Sequence, residues 1–245
     1  MLGLFPHPDD EAYAAGGLLA YCATAGAVVD VLCATRGENG TDRDAATSPG
    51  PALAARRTRE LEASCAALGV AAPAFLDLPD GGLGAVGAAA VALVAQHIER
   101  LRPHLIVTLG SDGVYANLDH LACTAIAAAA VSRASHSVRL LHAVFPRQLF
   151  APLWRALRRR PGTALVAEVE PRTLGVDAPA LRLDIRAVRD RKLAAIAAHR
   201  SQLTGGDPFT LLRPGLVERL LDEEWYDVAH GPALPAGARD PFAGL

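Results

Sequence analysis

The sequence predicts an α/β fold of Rossmann-like type, a mainly parallel sheet with helices on both faces and a site at the carboxyl ends of its strands. Three observations predict it. Short apolar runs of strand length alternate with longer stretches of helical period, as when crossover helices join parallel strands. A run such as Leu-Ile-Val-Thr-Leu at 105–109 is apolar almost throughout, like a strand buried on both faces. Polar clusters recur just after the apolar runs, where open α/β sheets collect their ligands. The 245 residues are read as one domain, 1–245.

Leu2–Pro6 is the first strand. His7 is placed as the N-cap of the following helix, with Pro8 at its first position, where a missing N–H does no harm. Ala12–Ala25 continues that helix, and Gly26 ends it. Val28–Ala34 is the second strand, followed by the loop Thr35–Gly40 and a turn-rich stretch over 41–52. Ala54–Leu68 carries Leu61, Cys65 and Leu68 at helical spacing and stops at Gly69. Ala74–Leu78 is a short strand, and a loop carrying Asp80 leads to a helix over Val86–Leu101. Leu105–Leu109 is the fourth strand; after a loop to Asn117, a helix runs over His120–Ser135. Val138–Phe145 and Ala164–Val169 are further strands, Ile185–His199 is a late helix, and the rest is mixed helix and irregular tail.

Composition excludes several function classes. Lys and Arg number 24 against 26 acids, a net charge of −2, so no basic field suits nucleic acid. No apolar run reaches the roughly 18 residues of a membrane span. The four cysteines form no CxxC pair and read as buried thiols in a reducing cytoplasm. A small-molecule substrate is the expected partner, and self-association into a homo-oligomer is left open.

The richest stretch is Pro6-His7-Pro8-Asp9-Asp10-Glu11, where a strand delivers a histidine and three carboxylates to one point. Positions three apart share a helix face, so His7 and Asp10 can converge on a metal while Asp9 points elsewhere as a free carboxylate. His120, opening a helix just past the fourth strand, is the best-placed third ligand. His97, His104, His136, His142 and His230 read as ordinary surface or core imidazoles. Glu11 has two readings, orienting His7 or satisfying helix amides. The role of Asp119 is left open, with a cap for the helix near His120 as its reading from position alone. The loop after Glu38 is a lid or a plain surface loop. Arg155, Arg158, Arg159 and Arg160 form a solvated helix face, or else pair with an acidic substrate or another subunit.

An ordered set of motifs resembles the PIG-L/LmbE-like de-N-acetylases. It comprises Pro6–Glu11, Thr35-Arg36-Gly37-Glu38-Asn39-Gly40, Arg57-Thr58-Arg59-Glu60-Leu61, Leu68-Gly69-Val70, Asp80-Gly81, Arg102-Pro103-His104, Tyr115 to His120, and Lys192 to Gln202. The resemblance implies a hydrolase that removes an N-acetyl or other N-acyl group from a glucosamine-like sugar or a related natural product. It implies zinc (Zn2+), with Fe2+ or another divalent metal as the alternative, held by His7, Asp10 and His120. Asp9 is then the general base and Tyr115 the group that polarises the amide carbonyl. Glu38, Arg57 and Asp80 match sugar-contacting positions, and Asn117 and His199 belong near the substrate. His199 has a second reading, as a cation favoured at a helix C-terminus. The chain departs from the family at Asn117, where members usually carry a histidine that serves as acid or oxyanion aid; an asparagine amide donates a hydrogen bond but no proton. Two other functions stay open: a non-catalytic sugar-binding or regulatory protein, and a non-haem iron oxygenase built on His7, Asp9 and His120.

Overall fold

A computed structural model describes residues 1–159, 164–166, 168–210 and 215–245. In chain order its strands and α-helices are β1 (Leu2–Phe5), α1 (Asp10–Thr24), β2 (Asp30–Cys33), α2 (Pro51–Leu68), β3 (Ala74–Phe75), α3 (Gly87–Leu101), β4 (Leu105–Leu109), α4 (Gly113–Ala116), α5 (Leu118–Val131), β5 (Arg139–Val144), α6 (Ala151–Leu157), β6 (Leu181–Asp184), α7 (Arg189–Ala198) and β7 (Glu223–His230). The fold is mixed α/β with mostly parallel strand pairs, as predicted. The chain divides into two compact units, Met1–Asp80 with Asp184–Glu224, and Gly81–Leu183 with Trp225–Leu245.

In the first unit β3, β2 and β1 lie side by side, all parallel, with Leu2 opposite Asp30 and Phe5 opposite Cys33. The helix α1 is buried on every side from Asp10 to Ala20, as a helix apolar all round must be. It packs between α2 and α7. Pro51 starts α2, and Gly69, left-handed at φ 77°, ends it. One buried ion pair joins two of these elements. Lys192 Nζ on α7 lies 2.6 Å from Glu224 Oε1, and the carboxylate also accepts the amides of Gly17 and Leu18 in mid-α1, at 2.7 Å each. Those extra donors offset part of the cost of desolvating the charge. Burial holds the Lys192 pKa below its ordinary value, with Glu224 pulling it back up.

The expected cap at His7 is corrected. Residues 6–9 form a turn, and α1 begins only at Asp10 with Asp9 as N-cap. Asp9 has φ 123°, which no helical residue can adopt, so the helix cannot start before it. The carboxylates that follow hold this turn: the His7 amide donates to Asp10 Oδ2 at 3.0 Å, and the Asp9 amide to Glu11 Oε2 at 2.9 Å.

In the second unit the strands run β4-β5-β7-β6. β4 and β5 are parallel over five residue pairs, Leu105 opposite Arg139 through Leu109 opposite Ala143. β7 is antiparallel to β5. α3 and α5 pack together, with Val91, Val94 and Ile98 buried on one and Cys123, Ile126, Ala127 and Ala130 on the other. Arg139 is fully buried and donates to the carbonyl oxygens of Pro232, Ala233, Pro241 and Ala243, tying the C-terminal segment to β5.

Several element expectations are corrected here. β6 and β7 lie where irregular tail or no strand was expected. Over 164–169 only Leu165 pairs, as one bridge to Asn117; Ala167 lies outside the described residues. In the arginine cluster, Arg158 stacks over the Trp154 ring at 4.7 Å; Arg160 also lies outside the described residues. All four cysteines are buried, and none of them is in a disulfide. Among the described residues no helix is long and apolar enough to cross a membrane.

Candidate active site

In the first unit the site is built at the carboxyl ends of β1, β2 and β3. His7 Nδ1 faces Asp10 Oδ2 at 3.2 Å, and His7 Nε2 faces Asp80 Oδ1 at 3.2 Å. Two donors bound at about 2.0–2.1 Å to one tetrahedral ion lie roughly 3.3 Å apart, so the His7–Asp10 edge has the spacing of a shared coordination shell. Asp80 on the far nitrogen stands where a carboxylate would fix the ring if His7 held a metal through Nδ1. Tyr13, one turn along α1, donates its hydroxyl to the other oxygen of Asp10. Asp80 is itself held by its neighbours. Its carboxylate accepts the Asn39 amide at 2.8 Å, and its own amide donates to Glu38 Oε1 at 2.9 Å. Burial works to raise the Asp80 pKa, but His7 and the Asn39 amide outweigh it and hold the carboxyl below its ordinary value.

Asp9 lies beside this pair and makes a different contact. Arg57 Nη2 is 3.3 Å from Asp9 Oδ1 and also donates to the Pro8 carbonyl; Nη1 donates to Gly37 O at 3.1 Å. Only glycine fits at 37: its φ is +66°, and an added Cβ would lie 2.2 Å from the Arg57 guanidinium. Burial lifts the Asp9 carboxyl to about 7, with Arg57 pulling down and Asp10 adding to the rise.

Glu11 follows its helix-amide reading and adds a partner. It does not touch His7. Its Oε2 accepts the Asp9 amide, while Oε1 accepts Ser64 Oγ from α2 at 2.5 Å and faces His199 Nε2 at 2.7 Å. Burial works against ionising either group. The mutual attraction overrides it, holding Glu11 below and His199 above their ordinary pKa values. His199 sits at the C-terminal end of α7, fully buried. The loop after Glu38 is pinned rather than loose. Asp42 accepts the amides of Asp44, Ala45 and Thr47 and pairs with Arg56 at 2.7 Å, and the Arg43 amide donates to Ser201 O at 2.7 Å. Beside it, Arg36, Glu38, Pro51 and Asp77 line a cavity of about 290 Å³.

The second unit carries Tyr115, Asn117, Asp119 and His120 after β4. Asn117, not Asp119, caps α5: its Oδ1 accepts the amides of Asp119 at 2.8 Å and His120 at 3.3 Å. Asp119 instead accepts the amides of Gly81 and Leu83 at 2.7 and 3.1 Å. His120 is 1% exposed, and its Nδ1 lies 3.1 Å from the carbonyl of Gly113. That contact assigns the proton to Nδ1 and the lone pair to Nε2, the tautomer of a metal-ligating histidine. Tyr115 packs edge-on against the His120 ring at 5.1 Å. The helical spacing of Tyr13 from Asp10 could have revealed its role; nothing in the spacing singles out Ser64 as a partner of Glu11.

The fold and these residues define an α/β protein with a histidine–carboxylate centre able to hold a divalent metal. The model of the GlcNAc-PI de-N-acetylase (PIG-L) family matches residues 2–131. The chain belongs to that family. It is 32% identical over 276 residues to a 1D-myo-inositol 2-acetamido-2-deoxy-alpha-D-glucopyranoside deacetylase of Acidothermus cellulolyticus, covering 100% of this chain and 94% of that protein. Among solved structures it resembles an N,N'-diacetylchitobiose deacetylase from Pyrococcus horikoshii, with a TM-score of 0.62 and 22% identity over 93% of this chain and 82% of that one. It also resembles a 4-carboxy-2-hydroxymuconate hydratase from Pseudomonas putida KT2440, with a TM-score of 0.70 and 20% identity over 97% and 98% of the two chains. One fold thus serves both names, and the reaction must be argued from the site.

Proposed function

We propose that the chain is a metal-dependent N-deacetylase acting on a 2-acetamido-2-deoxyglucoside, with an inositol-linked sugar as the first substrate to test. The observation that carries this reading is the division of labour between neighbouring aspartates: Asp10 faces His7 at ligand spacing while Asp9 is turned onto Arg57. The relatives' names, at 32% identity across the whole chain, support the substrate class.

The donor set is two imidazoles and one carboxylate, His7, Asp10 and His120. Such a set suits zinc or iron(II) and leaves room for water and substrate. A divalent ion held there would acidify a water and polarise the amide carbonyl. Asp9 takes the proton of the attacking water and returns it to the leaving amine nitrogen. The Tyr115 hydroxyl donates to the carbonyl oxygen as charge develops on it, an interaction worth roughly 3 kcal/mol in related oxyanion sites. Arg57 keeps Asp9 aimed by binding both its carboxylate and the preceding carbonyl. Glu38, on the cavity wall, accepts from sugar hydroxyls, whereas Asp80 acts through His7. Asn117 spends its side-chain oxygen on the α5 cap, so both proton transfers fall to Asp9.

The test is a metal-stripped sample assayed for free amine from the N-acetylglucosaminyl inositol. Activity should be absent without metal and return with one equivalent of a divalent ion. Full turnover in the stripped protein, or no amine at any metal loading, overturns the reading.

A further inference from the structure

The segment after β4 is held in a backbone that ordinary residues avoid. Gly113 has φ 60°, Val114 φ 66° and ψ −56°, and Ala116 φ 61°. A β-branched valine in that region is strained, and such strain persists only where surrounding contacts over-determine it. Those contacts are visible. Asp112 Oδ1 accepts the Val114 amide at 2.9 Å, and Asp112 Oδ2 accepts the Gly175 amide at 2.8 Å. Its carbonyl accepts the Ala116 amide at 3.0 Å. The Gly175 segment is itself fixed, since Gln148 donates to Leu174 O and Val176 to Phe145 O. The carboxylate of Asp112 thus bridges the strained turn to the segment before β6, which in turn is bonded to the chain just past β5.

The turn has two outputs. The Gly113 carbonyl sets the His120 imidazole through Nδ1, and Tyr115 is presented edge-on to the same ring, with Phe150 behind it at 6.5 Å. We propose that Asp112 is a positioning residue: by clamping the Val114 and Gly175 amides it fixes the carbonyl that orients His120 and the turn that aims Tyr115. This rests on the deacetylase reading for the roles of His120 and Tyr115. The geometry of the clamp does not.

Asp112→Asn tests it, because an amide keeps one acceptor where two are needed. Metal affinity is read by chelator competition, alongside kcat and KM on the N-acetylglucosaminyl inositol. The expected result is a loss of roughly 10–100-fold in metal affinity, as for groups that orient ligands. Fully metal-loaded variant should still lose roughly 10-fold or more in kcat with KM little changed, because misplacing a reacting group by about 1 Å is that costly. Gly113→Ala is the second variant, in case Asp112→Asn does not fold. It leaves the carboxylate intact but puts a Cβ 3.0 Å from Leu121 at a positive φ, and so shifts the same carbonyl. It should also weaken metal binding. Wild-type metal affinity and kcat in either folded variant overturn the proposal. If the wild-type chain releases no amine at all, the deacetylase reading falls, while the affinity measurement still judges the clamp.

Discussion

Asn117 shows how one side chain can be turned from chemistry to architecture. Its oxygen accepts the two amides that open α5, one of them His120's own, so the cap bears directly on a metal-ligand candidate. Losing a cap of this kind costs about 1 kcal/mol, whereas serine caps nearly as well as asparagine. Asn117→Ala should therefore lower Tm by roughly 2–4 °C for a chain of this size, and Asn117→Ser should not. Asn117→His should lower Tm like the alanine variant without raising turnover, because it displaces the cap. Thermal melts with parallel amine assays read both outcomes. A gain in turnover would show that a missing acid limits the rate. At the same scale the sequence was legible where residue type dictated chemistry: His7 and Asp10 do converge, and Asp9 does point elsewhere. It was not legible where a long-range partner decided the role. Glu11 meets His199 across 188 residues and Ser64 across 53, separations that no local pattern encodes.

Among the elements, legibility followed burial. β4, apolar along all but one of its residues and buried throughout, matches its expected span of Leu105–Leu109 to the residue. β7, Glu-Glu-Trp-Tyr-Asp-Val-Ala-His, escaped because charged and half-exposed positions dilute the apolar run that marks a central strand. The turn before α1 reads as a helix start because of Pro8, whereas the carboxylates that hold the turn, Asp10 and Glu11, lie one and two positions past Asp9. The Lys192–Glu224 pair belongs to this scale, since it joins α7, β7 and the middle of α1. Removing one partner of a buried pair leaves the other charge uncompensated. Lys192→Met should cost about 3 kcal/mol in urea unfolding, and a loss under about 1 kcal/mol would contradict the burial described.

At the scale of the whole molecule, the Glu11–His199 pair gives the stability a direction in pH. Glu11 titrates lower folded than its ordinary 4.5, so its contribution is present above that value and lost as pH falls through the folded pKa. His199 titrates higher folded than 6.5, so its contribution is complete below 6.5 and lost as pH rises through the raised pKa. Both are in full effect only between those two values. The wild-type Tm should thus fall as pH rises above 6.5 through the raised His199 pKa, and fall less in the double variant Glu11→Gln with His199→Asn, which removes both charges. Equal slopes in the two proteins would remove the pair from the account.

The most direct test of the central claim, that metal ligation and proton transfer fall to neighbouring aspartates, is the turnover of metal-replete Asp9→Asn with its metal content measured on the same sample. The account predicts one bound ion per chain, as in wild type, with amine release reduced by about 10²–10⁴-fold. Wild-type turnover in that sample, or a variant that no longer binds the ion, would contradict it.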